Sequence, residues 1–271
     1  MTQQVFGMIY FPSPRAAAYM QVLAKEKCLP QHIVIMQSDR LKRASEIIQD
    51  HPLATRFFDL QFDIESFCLL NNLTYTKIET GDINSLKINT FLRHSSIRHW
   101  LFSGGGILKA PLFELGKDFW HWHPGDLPTV KGSTCFYYSL LHDLQLVVSA
   151  FRMNDQIDAG EPQKRSSFRL NIHPDHLTTA FMDVIVDPWV RALALAECLN
   201  DKQFFNQAVD KSAVVDSQAS HSTIDPNDLD SHSQPLTDRP CYIIHPLLRW
   251  IAIEKVNATY DSALPESIVL I

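Results

Sequence analysis

Residues 1–115 alternate short apolar runs with amphipathic stretches, and this rhythm restricts the fold more than any other feature of the chain. Val5 to Phe11 is apolar and closes on Pro12, Ser13 and Pro14, after which Ala17, Met20, Leu23 and Ala24 recur at helical spacing through Lys27. Pro14 suits a first helical turn, where its missing amide hydrogen costs nothing. His32 to Met36 predicts a second strand, 40–50 and 52–70 two helices, 74–78 a strand, 83–95 an amphipathic helix, 99–102 a strand and 108–115 a short helix. Strands separated by helices pair in parallel through crossovers. The expected fold class is therefore α/β: a Rossmann-like, mostly parallel sheet with helices on both faces, plus a small C-terminal subdomain.

The texture changes at Phe119-Trp120-His121-Trp122-His123, an aromatic run cut by Pro124-Gly125 and Pro128. A helix over 132–142, a strand over 144–151, a polar turn ending at Gly160, a strand over 167–172 and a long helix over 177–199 follow, with Pro188 expected to break or kink the last. A catalytic-type domain over 1–200 and a small extension over 201–271 are the expected division. The extension holds a polar loop near 216–235, strand-like runs at 241–245 and 268–271, and a short helix between them. It carries five basic side chains against ten acidic ones.

Three features bear on chemistry. Gly104-Gly105-Gly106 follows a strand but has neither the GxGxxG order nor a GKS or GKT ending, so it reads either as a tight turn or as a backbone wall that a flat ligand can approach. His121 and His123, two apart on a strand, share a face. That placement serves metal binding, with Cys135, His142 or Asp158 as further ligands, or acid–base chemistry in which Asp158 orients a histidine. Their spacing fits no standard metal motif, and no metal is expected.

Composition narrows the partners. With 24 Lys and Arg against 30 Asp and Glu, the formal charge of −6 argues against broad attraction to nucleic acid or to an anionic membrane. Five scattered cysteines without a CxxC pair suggest neither a disulfide framework nor a thiolate zinc site. No run approaches the roughly 20 apolar residues that span a bilayer. A cytoplasmic protein acting on small molecules is the expectation, and a homodimer is compatible with it.

The order Ser103-Gly104-Gly105-Gly106-Ile107-Leu108, then His121-Trp122-His123-Pro124-Gly125-Asp126-Leu127-Pro128, Lys131-Gly132 and Asp158-Ala159-Gly160 resembles the catalytic domain of the folate-dependent formyltransferases. That family's signature is Asn, a variable residue and His-Pro, then Leu-Pro and usually Arg-Gly, with Asp-x-Gly farther along. The likeness covers roughly residues 1–190 and is closest in kind to the bacterial sugar N-formyltransferases. It implies transfer of a formyl group from 10-formyltetrahydrofolate to a primary amine without a metal. His123 matches the catalytic histidine, and Asp158, 35 positions later, the aspartate that orients it. His121 stands where the family has an asparagine that donates to the oxyanion, and Lys131 replaces the usual arginine before Gly132. By the same resemblance Gly104, Gly105, Gly106, Ile107, Asp158 and Gly160 face the folate, while Lys131, Gly132 and Tyr137 are expected on the acceptor side. Tyr137, Tyr138 and Trp250 are candidates for stacking on a base or sugar, or ordinary core aromatics. A short acidic extension is a poor grip for tRNA, glycinamide ribonucleotide is possible on length, and the resemblance to sugar formyltransferases of this size range implies a nucleotide-linked amino sugar, of the kind used in polysaccharide biosynthesis, as the expected acceptor. A non-catalytic relative that binds folate or a sugar nucleotide, formyl transfer to another small amine, and a metal-dependent hydrolase remain the alternatives.

Overall fold

A computed structural model of the chain describes residues 5–132, 134–201, 204 and 244–271. The polar loop expected near 216–235 and most of the run at 241–245 lie outside them. Eight strands form one sheet in the order β3-β2-β1-β4-β5-β6-β7-β8. The first five, β1 (Phe6–Tyr10), β2 (His32–Ile35), β3 (Thr74–Lys77), β4 (His99–Phe102) and β5 (Asp118–His123), pair in parallel. β6 (Leu146–Arg152), β7 (Pro162–Asn171) and β8 (Ser267–Leu270) extend the sheet antiparallel. The mostly parallel α/β architecture expected from the sequence is the one observed.

Local chemistry explains the first crossover. All five residues of β1 are buried, as a strand covered on both faces requires. Helix α1 (Pro14–Lys25) begins where Ser13 accepts a hydrogen bond from the Ala16 amide, and Pro14 occupies the first turn. Its Ala16, Tyr19, Met20 and Leu23 enter the core on one face of the sheet, joined there by α2 (Arg40–Ile48), α3 (Ile64–Leu70) and the long helix near residue 190. α4 (Leu86–His94) and α5 (Ala110–Phe113) pack Ile88, Leu92 and Leu112 on the opposite face with Ile9, Phe11 and Phe102. The chain steps outward from β1 through β2 to β3 and then returns to place β4 on the other side of β1, so the two sets of crossover helices fall on opposite faces. That reversal opens a crevice at the carboxyl ends of β1 and β4.

The helix expected over 52–70 is corrected. Only Ile64–Leu70 is helical, because Asp63 caps α3 by accepting from the Glu65 amide, and the preceding residues make turns that bury Leu53, Phe58 and Leu60. Leu53 and Leu60, seven apart, would share a helix face, but Phe58 would fall on another side, so a continuous helix could not have buried all three together. The expected break near Pro188 occurs one turn earlier than the proline. A short α7 (Thr179–Phe181) runs into a π-helical turn over Met182–Val186, and α8 (Asp187–Asn200) starts with Pro188 in its first turn. The Asp187 amide reaches back five residues to the Met182 carbonyl, so the π turn closes just before the residue that has no amide hydrogen to donate. α6 (Phe136–Asp143) lies beyond β5, and α9 (Pro246–Asn257) packs against it before the chain returns as β8 along β7. No helix among the described residues is long and apolar enough to cross a membrane.

Candidate active site

Alternation along β5 sets the site. Trp120 and Trp122 enter the α1/α8 core, with Trp122 edge-on to Tyr19 at 6.4 Å, which turns His121 and His123 to the other face. The side chains converge on a cavity of about 400 Å³ at the carboxyl ends of β1, β4 and β5. Gly104, Gly105, Gly106 and Ile107 form one wall, and residues 153–158 form another.

The three glycines all have positive φ, between 112° and 126°, a region that only glycine occupies readily. A Cβ on Gly105 would stand 2.7 Å from the Phe11 ring. The turn is thereby kept flat against β1, and the Ser103 hydroxyl ties it there by donating to the Ile9 carbonyl and accepting from the Phe11 amide.

His123 is almost fully buried and engaged on both ring nitrogens. Its Nε2 donates to the Val130 carbonyl at 2.8 Å and lies 3.2 Å from the Cys135 sulfur, while Nδ1 faces Asp158 Oδ1 at 3.4 Å. A carbonyl only accepts, so Nε2 carries a hydrogen, and a second hydrogen on Nδ1 is what an adjacent carboxylate favours. Burial opposes the charged form, but the Cys135 sulfur and the Asp158 carboxylate more than offset it, and the pKa of His123 rises to about 10. Burial likewise opposes ionised Asp158, yet His123 and the Gly132 amide hold its pKa down to about 2. Asp158 reaches this position because the chain after β6 folds back over the sheet and takes φ 50° at that residue, a left-handed conformation that aspartate tolerates. The Gly132 amide donates to its Oδ2 at 3.3 Å.

His121 is held differently. Its Nδ1 stands 3.3 Å from the Phe102 carbonyl, and its ring is flanked by Phe102 and, edge-on at 5.9 Å, by Phe151. Burial first, and then the Arg15 and Arg191 cations, keep its pKa well below the ordinary 6.5, so the ring is neutral.

Sequence reasoning missed the arginines. Arg15, Arg40 and Arg191 all line the cavity. Arg191 is spoken for: it donates to Asp187 Oδ1 at 2.8 Å and to the Trp122 carbonyl at 3.1 Å. Arg15 has no ion pair or hydrogen bond among the described residues, and its Nε is shielded from solvent. Its Nη1 would touch a Cβ placed on Gly104, at 3.6 Å, so the guanidinium lies beside the glycine turn. Arg40 sits over the Phe11 ring at 5.2 Å. A cation in the first turn after β1 was the available signal, since that turn opens at the carboxyl end of a central parallel strand.

The structure brings His121, His123, Asp158, Gly104, Gly105, Gly106, Ile107 and Gly132 to one cavity. It leaves others elsewhere. Tyr137 is fully buried, its hydroxyl donating to Asp183 and its ring under Arg249, so it does not reach the cavity. Nor do Lys131, Tyr138 and Trp250 line it, Trp250 standing 57% exposed on α9. Gly160 lies behind the wall, where a Cβ would fall 2.2 Å from Phe151, and its part is to let the loop pass. Among the metal candidates, Cys135 adjoins His123 but His142 is exposed and pairs with Asp143. Among the described residues no three His, Cys, Asp or Glu side chains converge as a metal-binding group.

Together, fold and site define an α/β protein with a His–Asp pair and a neutral histidine in the crevice outside its parallel strands. No family model and no curated protein matches the chain. Among solved structures it is similar to a sugar 3N-formyl transferase solved in the presence of dTDP and 5-N-formyl-THF, at 15% identity over 77% of this chain with a TM-score of 0.45. The chain spans 65% of that protein's length. It is similar also to glycinamide ribonucleotide transformylase 1 from Symbiobacterium toebii, at 12% identity over 78% of this chain and 90% of that one with a TM-score of 0.49. A sugar N-formyltransferase from a Shewanella species matches at 13% identity over 93% of this chain and 87% of its own, with a TM-score of 0.48. These are enzymes of the class that the order of motifs in the sequence resembles.

Proposed function

We propose that this chain is an N-formyltransferase that moves a formyl group from 10-formyltetrahydrofolate to a primary amine of a nucleotide-linked amino sugar. The observation that carries the reading is the convergence of the buried His123–Asp158 pair and His121 on one crevice beside the glycine turn. That crevice fits the donor. Side-chain-free backbone at Gly104, Gly105 and Gly106 opposes the loop through Asp158, leaving a slot between two walls, with Ile107 and Phe151 as apolar surface for a flat bicycle. When bound there, the donor supplies an electrophilic formyl carbon.

The protein's contribution is electrostatic and positional. Paired with Asp158, His123 is a fixed cation within a buried site, and such a charge stabilises the oxygen that becomes negative as the amine adds. Asp158 holds the ring in place, and the Gly132 amide holds Asp158. The expectation that His121 donates to that oxygen does not fit the proton on its Nδ1, which is committed to Phe102.

Arg15 and Arg40 support a phosphorylated acceptor. Both line the cavity; Arg15 is half-buried with its Nε shielded from solvent and unpartnered among the described residues, a cost that an anion would relieve, while Arg40 is exposed beside it. They supply the local cations that a chain of net charge −6 otherwise lacks. Replacing Arg15 with methionine is expected to raise the KM for a phosphorylated acceptor by about 10-fold or more, the loss of a charge-assisted hydrogen bond, with little change in the donor KM. An unchanged acceptor KM would remove this support.

The deciding experiment incubates the chain with 10-formyltetrahydrofolate and a panel of nucleotide-linked amino sugars and small amines, and detects formylated products by mass. A product from a nucleotide-linked amino sugar is the expected result. Tight folate binding with no product from any amine would replace this reading with that of a non-catalytic relative.

A further inference from the structure

Resting on the formyl-transfer reading, we propose that His121 is the catalytic proton acceptor of the site, and that it shuttles one proton from the amine to the departing folate nitrogen through Nε2. Three observations lead there. A carbonyl cannot donate, so the contact between Nδ1 and the Phe102 carbonyl at 3.3 Å places the ring's hydrogen on Nδ1. A neutral imidazole has only one such hydrogen, and Nε2 is then a bare lone pair. Nε2 makes no hydrogen bond among the described residues, and His121 lines the cavity, so this lone pair is available to a ligand.

The surroundings keep the ring in that state. The charged groups facing it are Arg15 from α1, Arg191 from α8, Asp158 from the returning loop and His123 from its own strand. Three of the four are cationic in this site and keep the resting ring neutral, which agrees with the lowered pKa of His121, and the oxygen that becomes negative as the amine adds offsets them when Nε2 takes its proton. Packing by Phe102 and Phe151 fixes the ring plane. An asparagine at this position could donate a hydrogen bond but could not take a proton, so the departure from the resembling signature exchanges one chemistry for another.

The step balances. As the amine nitrogen bonds to the formyl carbon, the carbonyl electron pair moves to oxygen beside the His123 cation, and His121 Nε2 takes a hydrogen from the amine nitrogen. The bond between the formyl carbon and the folate nitrogen then breaks, its pair stays on that nitrogen, and the hydrogen on Nε2 moves to it while the carbonyl re-forms. His121 ends as it began, and the products are the formamide and tetrahydrofolate.

The test has two arms on the 271-residue chain. With [15N]histidine labelling and His121→Asn to assign the signals, His121 should show a protonated Nδ1 and a bare Nε2, and keep that pattern at pH 6.5, where a free histidine is half protonated. In the kinetic arm, using the amine that the screen selects, His121→Ala should lower kcat about 100-fold with a largely unchanged donor KM. Added imidazole should restore part of that rate, and His121→Asn should stay slow. A protonated Nε2 would overturn the inference whatever the chemistry, and so would full activity in His121→Asn. A bare Nε2 in a chain that formylates no amine would defeat the formyl-transfer reading and the proton-shuttle role with it, while the tautomer itself stands.

Discussion

Replacing His123 with asparagine is expected to lower formyl transfer by at least about 100-fold while the chain still folds, and Asp158→Asn is expected to do the same. Each removes one half of a single charged pair, so the double variant should lose little more than either single one. Near-normal turnover in either variant would defeat the roles given to them. The pH dependence has a definite sign. His123 has its folded pKa raised to about 10, so its contribution to stability is complete below about 6.5, its ordinary value, and is lost as pH rises through 10. Asp158 has its pKa depressed to about 2, so its contribution is present above about 3.9 and is lost as pH falls through 2. Transfer should therefore fail at alkaline pH as His123 loses its charge, and in Asp158→Asn that failure should move to lower pH. A rate profile whose alkaline limb is the same in both proteins would separate His123 from the charge it is assigned.

Arg191→Met is the variant expected to damage the fold most. Arg191 is 2% exposed, and its guanidinium joins α8 to the end of β5 through Asp187 and the Trp122 carbonyl. Removing it strands a buried carboxylate and an unsatisfied carbonyl, a loss of about 3–5 kcal/mol. Unfolding in denaturant should show a lower midpoint with an unchanged slope. The double variant with Asp187→Leu should regain much of the loss, because the remaining charge is removed with its partner. A single variant as stable as the parent would mean that Asp187 finds another partner in solution.

A related limit applies to Tyr137. Its aromatic ring and its place just after Lys131-Gly132 suggested a substrate contact, yet it is committed to Asp183 and Arg249 below the sheet. Sequence position placed it near the site along the chain, but α6 turns that face of the helix into the core. The reverse holds for Arg15. The sequence reading did not single it out, and only the closeness of α1 to the glycine turn revealed an unpaired cation in the cavity.

The sequence by itself determined the strand–helix rhythm, the two-sided helical cover and the placement of His121 and His123 on one face, and the family resemblance pointed to Asp158 as the partner that the fold brings to 3.4 Å from His123. Those features depend on local periodicity, turn chemistry and a motif order that are written along the chain. Tertiary structure alone decided which ring nitrogen of His121 bears its hydrogen, which arginine stays unpaired and where Tyr137 points. The first and last depend on a carbonyl or a carboxylate brought in from a distant segment, Phe102 beside His121 and Asp183 beside Tyr137, while Arg191 finds Asp187 four residues back on its own helix and Arg15 has no ion pair among the described residues. Proton positions and charge pairing are properties of neighbours in space, and spacing along a chain does not carry them.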